Sequence, residues 1–304
     1  MIIFGYVKSR RLGKSLGINN LPKKYCTYSC VYCQVGRTKN LTIKRDEFYS
    51  PSEIYDEVKK YFERFKNKID YITFVPNGEP TLDINLGKTA KLLKKFGKVA
   101  IITNSSLIWD DKVKENLLNF DLVSFKIDTV NEKLWRFINR PHKSLNLNLI
   151  LENLLKFREI FRGHIITETM LINNIEYDLE EISRFLGKLK PALAYISIPI
   201  RPPAEKWVKP ANEEILSKAY FIFSKTVKTK FLTHVEDKDF GITDDVVKDI
   251  LSISSVHPLR EEILREILKK HKSNFSVVKK LLEEGKLKIV VYKNQKFYIR
   301  KISN

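Results

Sequence analysis

The sequence predicts an α/β protein built on a parallel sheet, followed by a smaller α+β segment. Two observations predict this. From about residue 70 to 235, short β-rich runs alternate with helical stretches, the pattern of repeated βαβ units whose right-handed crossovers curl a sheet. After Gly241 the alternation stops, and the chain ends in two β-rich runs around a polar turn. Periodicity alone leaves a barrel-like sheet and an open, doubly wound sheet both available.

The elements follow in order. Ser9-Arg10-Arg11-Leu12-Gly13 reads as a turn entering a first strand over 15–20, which leads into a cysteine-bearing loop. Ser50 before Pro51 reads as an N-cap, with a helix over 52–65. Strands are predicted over 70–76, 98–103, 122–128, 165–172, 194–200 and 230–235, with helices over 84–95, 110–119, 146–161, 178–189 and 211–226. Beyond them come helical segments over 243–252, 258–271 and 276–284, then a hairpin over 288–300. The pattern divides the chain into residues 1–240 and 241–304.

Composition narrows the class. With 304 residues, 43% of them hydrophobic and 30% charged, the chain reads as a soluble globular protein with a sizeable core. No apolar run approaches the roughly 20 residues that span a bilayer, so no membrane partner is expected. MIIFGYVKSRR is wrongly flanked for a secretory signal. The cysteines, clustered and without partners elsewhere, point to a reducing cytoplasm. The net charge of +19 is uneven: residues 1–45 carry ten bases and no acid, and residues 243–304 carry fourteen bases against eight acids. Basic ends favour an anionic partner, nucleic acid first; a generally charged surface of the thermophile kind is the alternative.

All three cysteines lie in Cys26-Thr27-Tyr28-Ser29-Cys30-Val31-Tyr32-Cys33. A closed zinc site wants four ligands, and a ferredoxin-type cluster wants four cysteines. A cubane on three cysteines leaves one iron open to a small molecule. The alternatives are a three-thiolate zinc site completed by one of the five histidines, or three unrelated buried thiols.

The CxxxCxxC run, with an aromatic before its last cysteine, resembles the signature loop of the radical S-adenosylmethionine (radical SAM) superfamily. That resemblance implies a partial (β/α)6 barrel and a [4Fe–4S] cluster on Cys26, Cys30 and Cys33, whose open iron chelates SAM. It implies a reductant such as ferredoxin or flavodoxin, and cleavage of SAM to methionine and a 5′-deoxyadenosyl radical that takes hydrogen from substrate. Gly78-Glu79-Pro80, at the end of the second predicted strand, resembles the family's GEP motif, which engages the SAM amino group. Glycine permits close backbone approach to a ligand, and a carboxylate complements an ammonium. The resemblance carries Tyr32 to the adenine and Ser124, Lys126 and Asp128, the polar set of the fourth strand, to the ribose. Asn104 and Met170, at the ends of the third and fifth strands, are further SAM candidates. Arg140 and His142, and Arg201 in Arg201-Pro202-Pro203-Ala204-Glu205, are candidates for substrate; an arginine suits phosphate or carboxylate bidentately.

The arrangement SRRLG…LGIN…CTYSCVYCQVG…NGEPTL…RPPAE resembles stand-alone prokaryotic enzymes near the wyosine-base synthases that act on transfer RNA, without the extra N-terminal cysteines of a second cluster. The tail resembles a winged helix. RNA is therefore a candidate substrate. The rivals are a cluster-bearing, nucleic-acid-binding regulator and an activating enzyme that acts on a partner protein's glycine.

Overall fold

The chain opens with an antiparallel hairpin, β1 (Ile3–Ser9) and β2 (Gly13–Ile18). The structure, a computed structural model, describes residues 2–65, 68–232 and 245–301. Two short strands, β3 (Tyr25–Cys26) and β4 (Asn40–Leu41), pair beside the cysteine loop. Helix α1 (Pro51–Arg64) starts at a capping box: Ser50 Oγ accepts from the Glu53 N–H, and the Glu53 carboxylate accepts from the Ser50 N–H. Then β5 (Tyr71–Phe74), β6 (Val99–Thr103), β7 (Leu122–Lys126), β8 (His164–Met170), β9 (Leu193–Ser197) and β10 (Thr229–Leu232) follow, each parallel to its predecessor, with β5 beside β2. The crossovers carry α2 (Leu86–Leu93), α3 (Asp111–Leu117), α4 (Glu132–Ile138), α5 (Leu147–Ile160), α6 (Leu179–Leu189) and α7 (Glu213–Ser224). The result is one eight-stranded sheet, order β1-β2-β5-β6-β7-β8-β9-β10, curled as a partial barrel.

Alternation along β7 shows how the two faces are used. Val123 and Phe125 point under the helices, and Phe125 meets Phe157 of α5 edge-on at 5.8 Å. Lys126 points the other way, into the curl. Inside the curl, Leu12 packs with Ala100, Leu122, Ile166, Tyr195 and Leu232. The β1–β2 turn thus folds into the sheet and plugs it at the end opposite the cysteine loop. Arg10 donates to the carbonyl of Leu232, joining the turn to the last strand.

The tail comprises α8 (Val246–Val256), β11 (Leu259–Arg260), α9 (Glu261–Lys270), α10 (Ser276–Glu283), β12 (Leu287–Tyr292) and β13 (Gln295–Arg300), with an antiparallel sheet in the order β11-β13-β12. Its hairpin turns on Lys293 and Asn294, both at positive φ, as a two-residue turn requires. Its core is shared with the barrel: Phe4 and Val7 of β1 pack among Ile250, Ile253, Val256 and Leu264.

Besides the short strands β3, β4 and β11, which the sequence reading lacks, β1 and α4 depart from expectation. β1 precedes the first predicted strand; its Phe4 and Val7 pack against the tail, while Ile3 packs against the barrel core. α4, seven residues long, has too short an apolar period to be read alone. Residues 233–235 of the last predicted strand, the start of the helix over 243–252 and the 240/241 boundary lie outside the described residues. Among those described, no helix is long and apolar enough to cross a membrane.

Candidate active site

The cysteine loop leaves β2 at the C-terminal edge of the parallel sheet and is tied down on every side. The Val31 N–H donates to Ile138 O (2.9 Å), the Glu205 N–H to Val31 O (3.0 Å) and the Glu79 N–H to Tyr25 O (2.9 Å). Trp135 Nε1 donates to the Tyr28 hydroxyl at 3.1 Å. These anchors come from three separate connections of the barrel, after β5, β7 and β9, so the loop's shape is fixed by the fold.

All three thiols line one cavity of about 270 Å³, each meets a side-chain N–H donor, and Cys26 also takes the Tyr28 backbone N–H. Asn104 Nδ2 donates to Cys26 Sγ (3.7 Å), Asn139 Nδ2 to Cys30 Sγ (3.5 Å) and Lys24 Nζ to Cys33 Sγ (3.3 Å). Donors of this kind stabilise thiolates that ligate a metal cluster. Without it, burial drives the Cys26 thiol upward, helped by the Glu79 charge, and burial takes Cys30 to about 12; loading metal must displace those protons. Among the described residues, no three His, Cys, Asp or Glu side chains converge closely enough for one metal ion.

Gly78 does more than was expected of it. A Cβ there would lie 1.8 Å from Tyr25 O, so the glycine lets the β5 end pack directly on the cysteine loop. Glu79 is buried, and its carboxylate accepts from Thr81 N and Oγ1 (3.1 and 2.6 Å), Thr103 Oγ1 (2.6 Å) and Asn104 N (2.8 Å). Burial raises its pKa and these bonds oppose the rise. It knits the ends of β5 and β6 together beneath Asn104. Pro80 turns the chain away into a short 3-10 turn, its carbonyl accepting from Asn20 Nδ2 at 3.2 Å. Asn77, in the cavity wall beside Gly78, has a buried Oδ1 with no hydrogen-bond partner, an acceptor suited to an ammonium.

Asp128 lies behind Tyr32. Its Oδ2 accepts from the Tyr32 hydroxyl and from Asn139 Nδ2 (2.7 Å), and its Oδ1 accepts from Lys126 Nζ (2.9 Å) and the Met170 N–H (2.8 Å). The Lys126 ammonium also lies 5.0 Å from the Tyr32 ring centroid. Burial lowers the Lys126 pKa and Asp128 opposes that. Tyr32, Lys126, Met170 and Asn104 face the cavity, while Ser124, earlier in β7, is buried away from it.

The substrate candidates separate. Arg201 lines the cavity, its Nη1 donating to Gln34 Oε1 at 2.5 Å. Arg140 pairs instead with Glu205, which also takes a bidentate contact from Arg37 at 2.9 and 2.8 Å. His142 accepts from the Ser144 N–H at 3.3 Å, and neither it nor Arg140 lines the cavity. Residues that sequence reasoning missed include Lys24, Asn139 and Glu168. Asn139 was visible next to Arg140, but nothing in the sequence said which of the two turns inward.

A family profile, described as the radical SAM superfamily, matches residues 21–186, more than half of the chain. The chain belongs to the radical SAM superfamily. This radical SAM protein is 50% identical over 311 residues to the UPF0026 protein MJ1312 of Methanocaldococcus jannaschii, covering 100% of this chain and 97% of that one. Its fold is similar to that of a radical SAM methyltransferase from Sphaerobacter thermophilus, with a TM-score of 0.55 at 12% identity over 72% of this chain and 66% of the other. It is also similar to SuiB of Streptococcus suis bound to S-adenosylmethionine, with a TM-score of 0.52 at 15% identity over 71% and 49%. At such identities the solved structures speak for the fold alone. Membership makes the protein an enzyme of SAM-dependent radical chemistry, with a [4Fe–4S] cluster and SAM as its cofactors.

Proposed function

We propose that Cys26, Cys30 and Cys33 hold the cluster and that the wall running from Gly78 through Asn104 to Lys126 and Met170 holds SAM, so that the enzyme abstracts hydrogen from a substrate bound under the cysteine loop. The observation that carries this reading is a side-chain N–H donor at each sulfur, from Lys24, Asn104 and Asn139. When bound, the two cofactors supply one-electron chemistry that ends in removal of a hydrogen atom from substrate. The chain's own work is placement. Asn77 and the Gly78–Glu79 turn face the amino-acid end of SAM. Tyr32, fixed by Asp128, presents its ring. Arg201 and Gln34 brace the loop against the β9 connection and exclude water from the far side. An external one-electron donor of the ferredoxin or flavodoxin kind serves the cluster.

Anaerobic reconstitution with iron and sulfide, dithionite reduction and assay for 5′-deoxyadenosine test the reading. Cys30→Ala is expected to abolish both cluster and cleavage; retained cleavage contradicts the ligand assignment.

RNA as the substrate is the second reading. The tail has the helix–strand–helix–helix–strand–strand order of a winged helix, and its last helix and hairpin expose Lys279, Lys280, Lys288, Lys293 and Lys296. This reading requires transfer RNA binding that weakens steeply with salt and 5′-deoxyadenosine formation that depends on the RNA.

A further inference from the structure

Cys30 is bracketed by the segment that carries Asn139. The Val31 N–H donates to Ile138 O at 2.9 Å, and the Ser29 N–H reaches both Asn139 O and Arg140 O at 3.1 Å. Tyr28 and Pro141 continue the contact as an antiparallel bridge. Asn139 itself closes α4, its N–H donating to Trp135 O at 2.9 Å. The residues on either side of Cys30 are thus fixed to Ile138, Asn139 and Arg140, which holds the buried Asn139 amide against the Cys30 sulfur.

That amide has fewer protons than neighbours to take them. Its Nδ2 carries two N–H groups, and three acceptors surround it: Asp128 Oδ2 at 2.7 Å, the Tyr32 hydroxyl at 3.0 Å and Cys30 Sγ at 3.5 Å. The carboxylate, charged and nearest, holds one N–H, and it fixes the amide's orientation, since a carbonyl oxygen in that place would repel it. The second N–H is left to the Tyr32 oxygen and the sulfur. The Tyr32 hydroxyl also lies beside Cys30, but its single proton goes to Asp128 Oδ2, the stronger acceptor. It therefore offers the amide a lone pair and competes with the sulfur. Asp128 is engaged on its other oxygen by Lys126 Nζ and the Met170 N–H. Lys126 also lies 3.5 Å from Glu168, which pairs with Arg11. Charges around the sulfur are thus paired locally, and the number of donor protons decides what it receives.

We infer that Asn139 is a positioning residue for the cluster: it divides one N–H between Cys30 Sγ and the Tyr32 hydroxyl oxygen, and so ties the cluster's reduction potential to the hydrogen bonds of the cavity wall. The inference rests on the cluster placement proposed above and adds to it a residue that sets how readily the cluster takes its electron. A hydrogen bond to a ligating sulfur favours the reduced cluster, the form with more negative charge, and raises the potential. A whole bond is worth about tenfold. A half share is then about threefold, roughly 30 mV at about 59 mV per tenfold for one electron.

The test is redox titration of the reconstituted full-length protein, followed by electron paramagnetic resonance, in wild type, Asn139→Ala, Tyr32→Phe and the double variant. Asn139→Ala is expected to shift the one-electron equilibrium about threefold toward the oxidised cluster. Tyr32→Phe removes the competing oxygen and gives the sulfur the whole N–H, so it is expected to shift the equilibrium about threefold the other way. Loss of a polar group beside a cluster would by itself lower the potential, so a rise is diagnostic. The double variant is expected to match Asn139→Ala, because without the amide the Tyr32 oxygen has nothing to compete for. Shifts of the same sign in the two single variants, no shift in Tyr32→Phe, or simple addition in the double variant overturns the inference. If Asn139→Ala takes up no cluster, the sign of the shift in Tyr32→Phe decides. A cluster retained in Cys30→Ala refutes the ligand assignment; a cluster lost there, with potentials unmoved in the other variants, refutes the role of Asn139 alone.

Discussion

Replacing Gly78 by alanine probes the join between the second parallel strand and the cysteine loop. The added Cβ would lie 1.8 Å from Tyr25 O, 2.8 Å from Tyr25 C and 2.9 Å from Leu21 Cδ1. Two of those atoms are backbone, so no rotamer change relieves the overlap. Reaching even 3.0 Å demands a relative shift of about 1.2 Å, which also breaks the bond from the Glu79 N–H to Tyr25 O. Overpacking of this kind costs roughly 1–3 kcal/mol, and the lost hydrogen bond about 1 kcal/mol more. For a chain of this size a total of about 3 kcal/mol lowers Tm by about 5 °C. Because the shift moves Cys26 against Asn104, SAM cleavage falls by about 100-fold, as displacements near 1 Å do. Thermal melts of the cluster-free protein and 5′-deoxyadenosine assays of the reconstituted protein read the two effects. A variant that melts with wild type and cleaves SAM at the wild-type rate refutes the packing argument.

Three further outcomes follow from the same geometry. Lys24→Met removes a positive charge 3.3 Å from Cys33 Sγ, so the cluster potential falls by about 60 mV or more, tenfold in a one-electron equilibrium; redox titration followed by electron paramagnetic resonance checks it, and an unchanged or higher potential contradicts it. Asp83, buried, has its pKa raised to about 6, burial outweighing the hydrogen bonds from Asn20 and the Asn85 N–H. Its penalty is therefore full above pH about 6 and gone below its unfolded value near 3.9, so it makes the fold more stable as pH falls, by about 3 kcal/mol at most. Asp83→Asn should flatten the stability profile between those values, and parallel profiles for the two proteins count against it. Tyr32→Phe takes one donor from Asp128 while Asn139, Lys126 and the Met170 N–H remain; a loss of about 1–2 kcal/mol shows as a lower Tm, and an unchanged Tm argues against a structural hydroxyl.

What the sequence could reveal was local. Alternation in 122–128 assigned Phe125 to the helices and Lys126 to the lumen because period two is a property of one strand. The cysteine spacing pointed to the cofactor because its chemistry is written in adjacent residues. Ser9-Arg10-Arg11-Leu12-Gly13 was equally visible, yet it read as a turn and as part of a family pattern, with no role for its side chains. Its roles depend on Leu232 and Glu168, more than 150 residues away, which only the curl of the sheet brings near. Ser124 shows the limit from the other side: alternation gave its face, but depth along the strand decided that it misses the cavity. Arg140 and His142 share a loop with Asn139, and one backbone reversal at positive φ, at Arg140, sends that neighbour inward and them out.

Electron paramagnetic resonance of the reconstituted, dithionite-reduced protein with and without SAM tests the central claim most directly. One reduced cubane signal per chain, altered on adding SAM and absent from Cys30→Ala, is the predicted result. A protein that holds zinc without iron, or a cluster whose signal ignores SAM, contradicts the account.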